Sequence, residues 1–284
     1  MQIRSPIVAC MTASSLNLTA DVTPGPPRRE CRYRGRMPEP RRTAVEIAVQ
    51  DVAGVRVALA EGADRVELCV ALGLGGLTPS AGLVRAAVEE AREDGRTGFV
   101  HVLVRPRGGG FVYDSDELDT IVADIRFARE AGADGVVVGA LDEAGRVDRE
   151  AVARFVGEAG GLEVTFHRAF DTLPDSLGAG DALAQLGVAR VLTSGGAQRS
   201  ADGIEGLRAL AQRVDGRLQV MAGGGVRVQD IHALIAAGVD AVHLSARESV
   251  SGAPSGPGGG DAAYDITDPI SVREAVAAVR DVRP

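Results

Sequence analysis

Four passages of the chain repeat one plan: EGADRVEL (Glu61 to Leu68), AGADGVVV (Ala131 to Val138), LGVARVLT (Leu186 to Thr193) and AGVDAVHL (Ala237 to Leu244). In each, a glycine closes a helical stretch and supplies the left-handed backbone that a β-branched residue resists. A small residue and Asp or Ala then turn the chain into a short apolar run of the kind that forms a buried parallel strand.

Moving outward, these four runs are alternate members of a series of eight. The predicted strands are Val45 to Val49, Arg65 to Val70, Phe99 to Val104, Gly135 to Gly139, Glu163 to His167, Arg190 to Thr193, Leu218 to Met221 and Ala241 to Leu244. Helical stripes lie between them. Thr78 and Pro79 read as cap and first turn before Leu83, Ala86 and Ala87. Leu118, Ile121, Val122 and Ile125 follow Asp114 and Ser115, and Val152, Phe155 and Val156 follow Asp148. Ile204, Leu207, Leu210, Ala211 and Val214 form another stripe, then Ile231, Leu234 and Ile235, and Asp268 and Pro269 start a last helix with Val272, Ala275, Val276 and Val279 inward. Right-handed crossovers leave a single α/β domain, a (β/α)8 TIM-type barrel over residues 44–284, as the simplest closure. The alternative is a doubly wound open sheet.

The chain has 284 residues, 45% hydrophobic and 25% charged, the make-up of a globular domain with room for a core. No run of about 18 apolar residues predicts a membrane span. The net charge of −8 disfavours nucleic acid and anionic membranes as partners. All 31 basic residues are arginine, so imine chemistry and the lysine of an NTPase phosphate loop are excluded. The three cysteines, Cys10, Cys31 and Cys69, are odd in number and widely spread, which fits a reducing compartment rather than a disulfide framework or a structural zinc site.

Two stretches break the rhythm. Residues 1–43 have clustered Pro and Arg and no periodicity, and are expected to be a disordered extension, or to precede a true translation start at Met37. Ser249 to Gly260, SVSGAPSGPGGG, reads as a flexible linker, with a mobile lid over the barrel mouth as the alternative.

Active sites of such barrels lie at the carboxyl ends of the strands. Collected there are Glu46, Glu67, Cys69, His101, Arg105 and Arg107 in VRPRGGGF, and His167, Arg168 and Asp171 in TFHRAFD. A Glu within a buried strand needs a partner, either an arginine or a bound cation. Glu67, His167 and Asp171 are the acid/base candidates, and Arg105, Arg107 and Arg168 present guanidinium forks suited to a carboxylate or phosphate. Glycine loops add amides: Ser194, Gly195 and Gly196 after the sixth strand, and Gly223, Gly224 and Gly225 after the seventh. A hard divalent ion held by Glu46, Glu67, His101 or His167 is a further possibility, while a purely structural ion-pair network is the competing account. His232 is placed on a helix surface, and His243 reads as a hydrogen-bonded core residue.

GADRVELC, GGLTPS, VRPRGGGFVY, DGVVVG, TFHRAFD, LTSGG and MAGGGV, in this order, resemble the CutC family, long labelled copper homeostasis proteins. The resemblance runs from about Val45 to Arg280 and implies a cytoplasmic TIM-type barrel, usually a homo-oligomer (dimer or tetramer), with the polar cluster just described at its strand ends. It also implies Cu(I) held by two cysteines. Cys69 matches one of them, Ala48 stands where the other would be, and Met221 is the nearby soft donor. One thiolate is too few for tight Cu(I) binding. Two readings follow: a copper-binding homeostasis protein, or an enzyme using acid/base chemistry on a small anionic or sugar-like molecule. An N-terminal mass on the native protein decides between the two readings of the extension: a chain beginning at Met37 supports the internal start, and intact residues before it overturn that start.

Overall fold

The computed structural model describes residues 42–252, 256–257 and 263–281. Strands Ala44–Val49 (β1), Arg65–Leu68 (β2), Val100–Leu103 (β3), Gly135–Val138 (β4), Glu163–Phe166 (β5), Arg190–Thr193 (β6), Gln219–Gly223 (β7) and Ala241–Leu244 (β8) pair in parallel in chain order. β8 pairs back onto β1, with Glu46 opposite His243, and this closes the barrel. The open doubly wound sheet is thereby excluded. Around it lie Val52–Ala60 (α1), Ala81–Glu93 (α2), Ser115–Ala131 (α3), Arg149–Ala159 (α4), Ser176–Gln185 (α5), Ile204–Val214 (α6), Ile231–Ala236 (α7) and Pro269–Arg280 (α8). None of the described helices is long and apolar enough to cross a membrane.

The repeated passages behave as the sequence implies and do one thing more. Gly62, Gly132, Gly187 and Gly238 all take positive φ. The Asp that follows three of them ties the amino end of the barrel together. Asp64 accepts from the Val45 amide at 2.8 Å, Asp134 from Gly98, Phe99 and Val100, and Asp240 from Val220 at 2.8 Å. Each carboxylate thus caps the start of the strand next to its own.

Helix starts follow short acceptors. Asp114 and Glu117 form a reciprocal capping box on α3, and Asp148 and Asp268 cap α4 and α8. The cap of α2 is Ser80 rather than Thr78, because the Thr78 hydroxyl is taken by the Arg105 amide at 2.9 Å. The Ser249 to Gly260 linker is also corrected: Arg247–Ser251 (β9) pairs antiparallel with Ala263–Thr267 (β10), an ion pair between Arg247 and Asp265 spanning the ribbon. The extension over residues 1–41, with Cys10, Cys31 and Met37, lies outside the described residues. Thr43 is already buried, its hydroxyl donating to the Val239 carbonyl.

The apolar core lies between the outer face of the strands and the helices, built around Ile47, Leu68, Val136, Phe155, Phe166 and Leu207. Strand alternation sends the other set inward, and much of it is polar: Glu46, Arg65, Glu67, His101, Thr165, Arg190 and His243 share the interior with two small apolar clusters around Leu103 and Met221. Room for the imidazoles comes from glycines on neighbouring strands. A Cβ on Gly135 would lie 2.3 Å from His101 Nδ1, and one on Gly139 2.4 Å from His167 Cε1. Gly135→Ala is therefore expected to cost about 1–3 kcal/mol by overpacking. Gly157→Ala, on the open face of α4 with nothing within 4 Å of the added methyl, should gain about 0.5–1 kcal/mol. Denaturant midpoints of the two variants against the parent check this, and equal shifts would contradict it.

Candidate active site at the barrel mouth

Glu46 is wholly buried, and as an ionised carboxylate it needs compensation. Its register partners on both sides supply it: Arg65 Nε donates to Oε2, and His243 Nδ1 lies 2.8 Å from Oε1. Burial pushes the carboxyl up, but Arg65 and His243 together hold it well below the usual carboxylate range. With Glu46 ionised, Nδ1 of His243 carries the proton and donates it, which aims Nε2 toward Glu67 Oε2, 3.8 Å away.

One interior step nearer the carboxyl ends, Glu67 is 5% exposed. Burial lifts its pKa to about 7, His243 opposing the rise and Glu46 adding to it. For His243, burial alone would lower the value, but Glu67 and the bond to Glu46 outweigh it and the pKa is raised. The sequence alone left His243 as a core residue. The structure makes it part of a carboxylate–imidazole–carboxylate array on β1, β2 and β8. The available signal was its inward parity on β8 opposite Glu46, which only the barrel register reveals.

Glu67 and His243 open onto a cavity of about 130 Å³ lined also by Leu72, Gly75, Leu103, Arg105, Phe111, His167, Arg168 and Leu192. His167, at the end of β5, stands across the barrel from β1. Its Nδ1 accepts from the Ala169 amide at 3.2 Å, so the ring proton sits on Nε2, which is buried and has no partner among the described residues. Burial and then the nearby Arg105 charge lower its pKa to about 3, keeping the ring neutral. Arg105 donates its Nη groups to the carbonyls of Leu74, Gly76 and Gly109, and stacks on Phe111 with 5.1 Å from guanidinium carbon to ring centre. Its Nε, like His167 Nε2, is buried without a partner.

The remaining candidates divide. Arg107 does not reach the cavity: it pairs with Glu117 and holds the carbonyls of Gly108, Gly110 and Val112, clamping the glycine-rich loop onto α3. Asp171 also lies aside. Its carboxylate takes the Thr193 hydroxyl, the Ser194 amide at 3.0 Å and the Gly196 amide at 3.4 Å, while Gly195 donates to Thr193 Oγ1. The amides of Ser194, Gly195 and Gly196 are thus consumed internally. Arg168 Nε pairs with Asp171 at 2.7 Å and Nη2 reaches Ser194 Oγ at 3.1 Å, which leaves Nη1 with no protein acceptor among the described residues. Gly223 lies against Leu192, and Gly224 against the Arg168 guanidinium, where a Cβ would sit 2.9 Å from its carbon. Gly224 and Gly225, at positive φ, donate their amides to no protein acceptor among the described residues.

His101, wholly buried deeper in the barrel, has neither ring nitrogen partnered; its Nε2 lies 3.8 Å from Glu163, which itself pairs with Arg190. Burial is the main cause that lowers its pKa to about 4. His232 is exposed and bonds to the Ala278 carbonyl.

The soft donors do not assemble. Cys69 is buried with Leu103 and Val137, and burial, then the Glu67 charge, pushes its thiol well up, so it is protonated at neutral pH. Met221 packs in a different cluster with Leu192 and Ala241, its sulfur facing Arg65 Nη2 at 3.3 Å. Cu(I) wants deprotonated thiolate or several thioethers, and this donor set does not fit it. Among the described residues no group of three or more His, Cys, Asp or Glu is arranged to hold a metal.

The model of the CutC family matches residues 43–248. A CutC family protein of Agrobacterium fabrum is 44% identical over 191 residues, 67% of this chain and 74% of its own length. One of Xylella fastidiosa is 40% identical over 239 residues, covering 82% and 87%. A crystal structure of a Streptococcus agalactiae protein named CutC, whose name refers to copper homeostasis, superposes with a TM-score of 0.68 at 32% identity, over 72% of this chain and 98% of that one.

The array predicts its own titration. His243 binds its proton more tightly in the folded state, so the stability this contributes is full below about pH 6.5 and lost as pH rises through the elevated value; Glu67 behaves likewise between about 4.5 and about 7. Ring-nitrogen NMR should show His243 charged at pH 6.5 and His167 neutral, protonated on Nε2, down to pH 5. Glu67→Gln should lower the His243 midpoint, because the Glu67 charge is one of the causes that raise it. A midpoint unmoved by that change would break the array apart.

Proposed function

The chain belongs to the CutC family, and from that premise we propose that it is an enzyme performing acid/base chemistry on a small anionic molecule in the cavity at the barrel mouth. The observation that carries this is the cavity wall itself: Glu67 and His243 line it together with Arg105 and His167, whose Nε–H and Nε2–H have no partner among the described residues. Buried donors without partners cost free energy, and a ligand oxygen that accepts both would relieve it.

The roles follow from the environments. Glu67, poised at about 7, exchanges a proton with the ligand near neutral pH. His243, oriented by Glu46, is the charged partner that stabilises Glu67 when it is ionised. Arg168, with Nη1 uncommitted and the free amides of Gly224 and Gly225 nearby, favours a negative group at the rim. Arg107, Asp171 and the amides of Gly195 and Gly196 serve as supports for the loops.

Copper homeostasis comes with the family name, and the second reading drawn from it is direct Cu(I) binding. The protonated Cys69 and a Met221 packed in a separate cluster argue against a preorganised copper site in the barrel.

Two measurements separate these readings. A thermal-shift screen of carboxylated and phosphorylated metabolites should return a stabilising ligand whose affinity falls about tenfold in Arg168→Gln, the loss of one charge-assisted hydrogen bond; no hit across a broad panel overturns the enzyme reading. Competition with a Cu(I) chelator should show binding unchanged in Cys69→Ala. Sub-micromolar binding lost in that variant would restore the copper reading.

A further inference from the structure

We propose that the reaction at the barrel mouth is enolisation of a short 2-oxo acid, with Glu67 removing a proton from C3 while His167 and Arg105 hold the keto oxygen. This inference rests on the acid/base reading above and gives it a substrate class.

Size limits the ligand first. At about 130 Å³ the cavity is small beside the about 300–1,000 Å³ of pockets for drug-sized ligands, so it suits a short molecule. Polarity then orders it. Two donors, His167 Nε2–H and Arg105 Nε–H, belong to side chains that both pack against Phe111, whose ring centre is 4.9 Å from that of His167 and 5.1 Å from the Arg105 guanidinium carbon. Both are buried and unpartnered, so they suit an oxygen that gains charge during the reaction. A second acceptor group belongs at the rim, where Arg168 lines the same cavity with Nη1 uncommitted. One keto oxygen inside and one carboxylate outside describe a 2-oxo acid. Between them the wall is apolar, with Leu72, Leu103 and Leu192, as a hydrocarbon carbon requires.

The chemistry needs a base that reaches the same cavity, and Glu67 on β2 supplies it: Arg105 lines that cavity from just past the neighbouring strand β3, and His167 from the end of β5, three strands further round. Glu67 takes a proton from C3. The C–H electron pair becomes the C2–C3 double bond, and the former carbonyl π pair moves onto the oxygen, where His167 and Arg105 hold it by hydrogen bonds. Return of the proton from the Glu67 carboxylic acid to C3 restores the ketone and the ionised carboxylate. No oxidant, reductant or leaving group is involved. A neutral imidazole suits the donor role, because a charged one would surrender its proton to the enolate rather than stabilise it. His243 faces Glu67 and Glu46, and Arg65 faces Glu46, so the positive charge beside the base balances its carboxylate.

The test uses the full chain in deuterated buffer with pyruvate and 2-oxobutyrate as probes, following loss of the C3 proton signals by NMR. Wild-type protein should accelerate exchange at least a hundredfold over buffer, and Glu67→Gln should lose about 10²-fold or more. Glu67→Asp, which keeps the charge but withdraws the base, should be slowed less than Glu67→Gln, and circular dichroism verifies that both variants fold. Thermal shift is read on the same samples. A probe that stabilises the protein without exchange overturns enolisation and leaves the acid/base binding site standing. Neither stabilisation nor exchange by these probes overturns the 2-oxo acid assignment, and the broader metabolite screen then decides the parent reading separately.

Discussion

The buried carboxylate of Glu46 is the constraint from which much of the interior follows. An ionised group in the middle of a strand is stable only if its partners are built in, and they are its register neighbours, Arg65 on β2 and His243 on β8. The ion set therefore fixes more than a charge balance. It pins the register of three adjacent strands at the seam where the barrel closes, selects the tautomer of His243, and presents that ring to Glu67. Slip β8 by one residue and His243 would leave the interior, stranding Glu46. What looks like a polar inclusion in a core is the frame on which the mouth cavity is hung.

The architecture was legible because it is written locally. The four glycine-centred passages carry the helix end, the turn and the next strand within eight residues each, and all four glycines take the predicted backbone. Once the strands are placed, their alternation puts Glu46, Glu67 and His101 on the inward face and carries Arg105 on along the same parity. Hydrophobic stripes gave six helices, and short acceptors such as Asp114, Asp148 and Asp268 marked where three of them begin.

The partnerships were not legible, because they join residues far apart in the chain. Nothing around Arg107 says that Glu117 will consume it, and the fork read as ligand-binding serves a loop instead. Asp171 and the amides after β6 are similar: each looked available, and each satisfies the other. His243 was undervalued because AVHL is an ordinary buried strand until its neighbour is known to be Glu46. The ribbon of β9 and β10 escaped for a compositional reason. Its first strand runs into a Ser, Gly and Pro-rich stretch, where cross-strand pairing rather than propensity decides the structure.

The interior glycines carry a consequence for how such a sequence can vary. Gly135 and His101 occupy one volume between them, as do Gly139 and His167. A larger residue at 135 collides with the imidazole, and a smaller one at 101 leaves a hole beside the glycine. Each pair is thus epistatic: either single replacement passes through a state worse than both ends, and the favourable path changes the two positions together. The two glycines are in this way tied to the histidines by volume, and a descendant barrel with a different interior would have to abandon glycine and histidine in the same step.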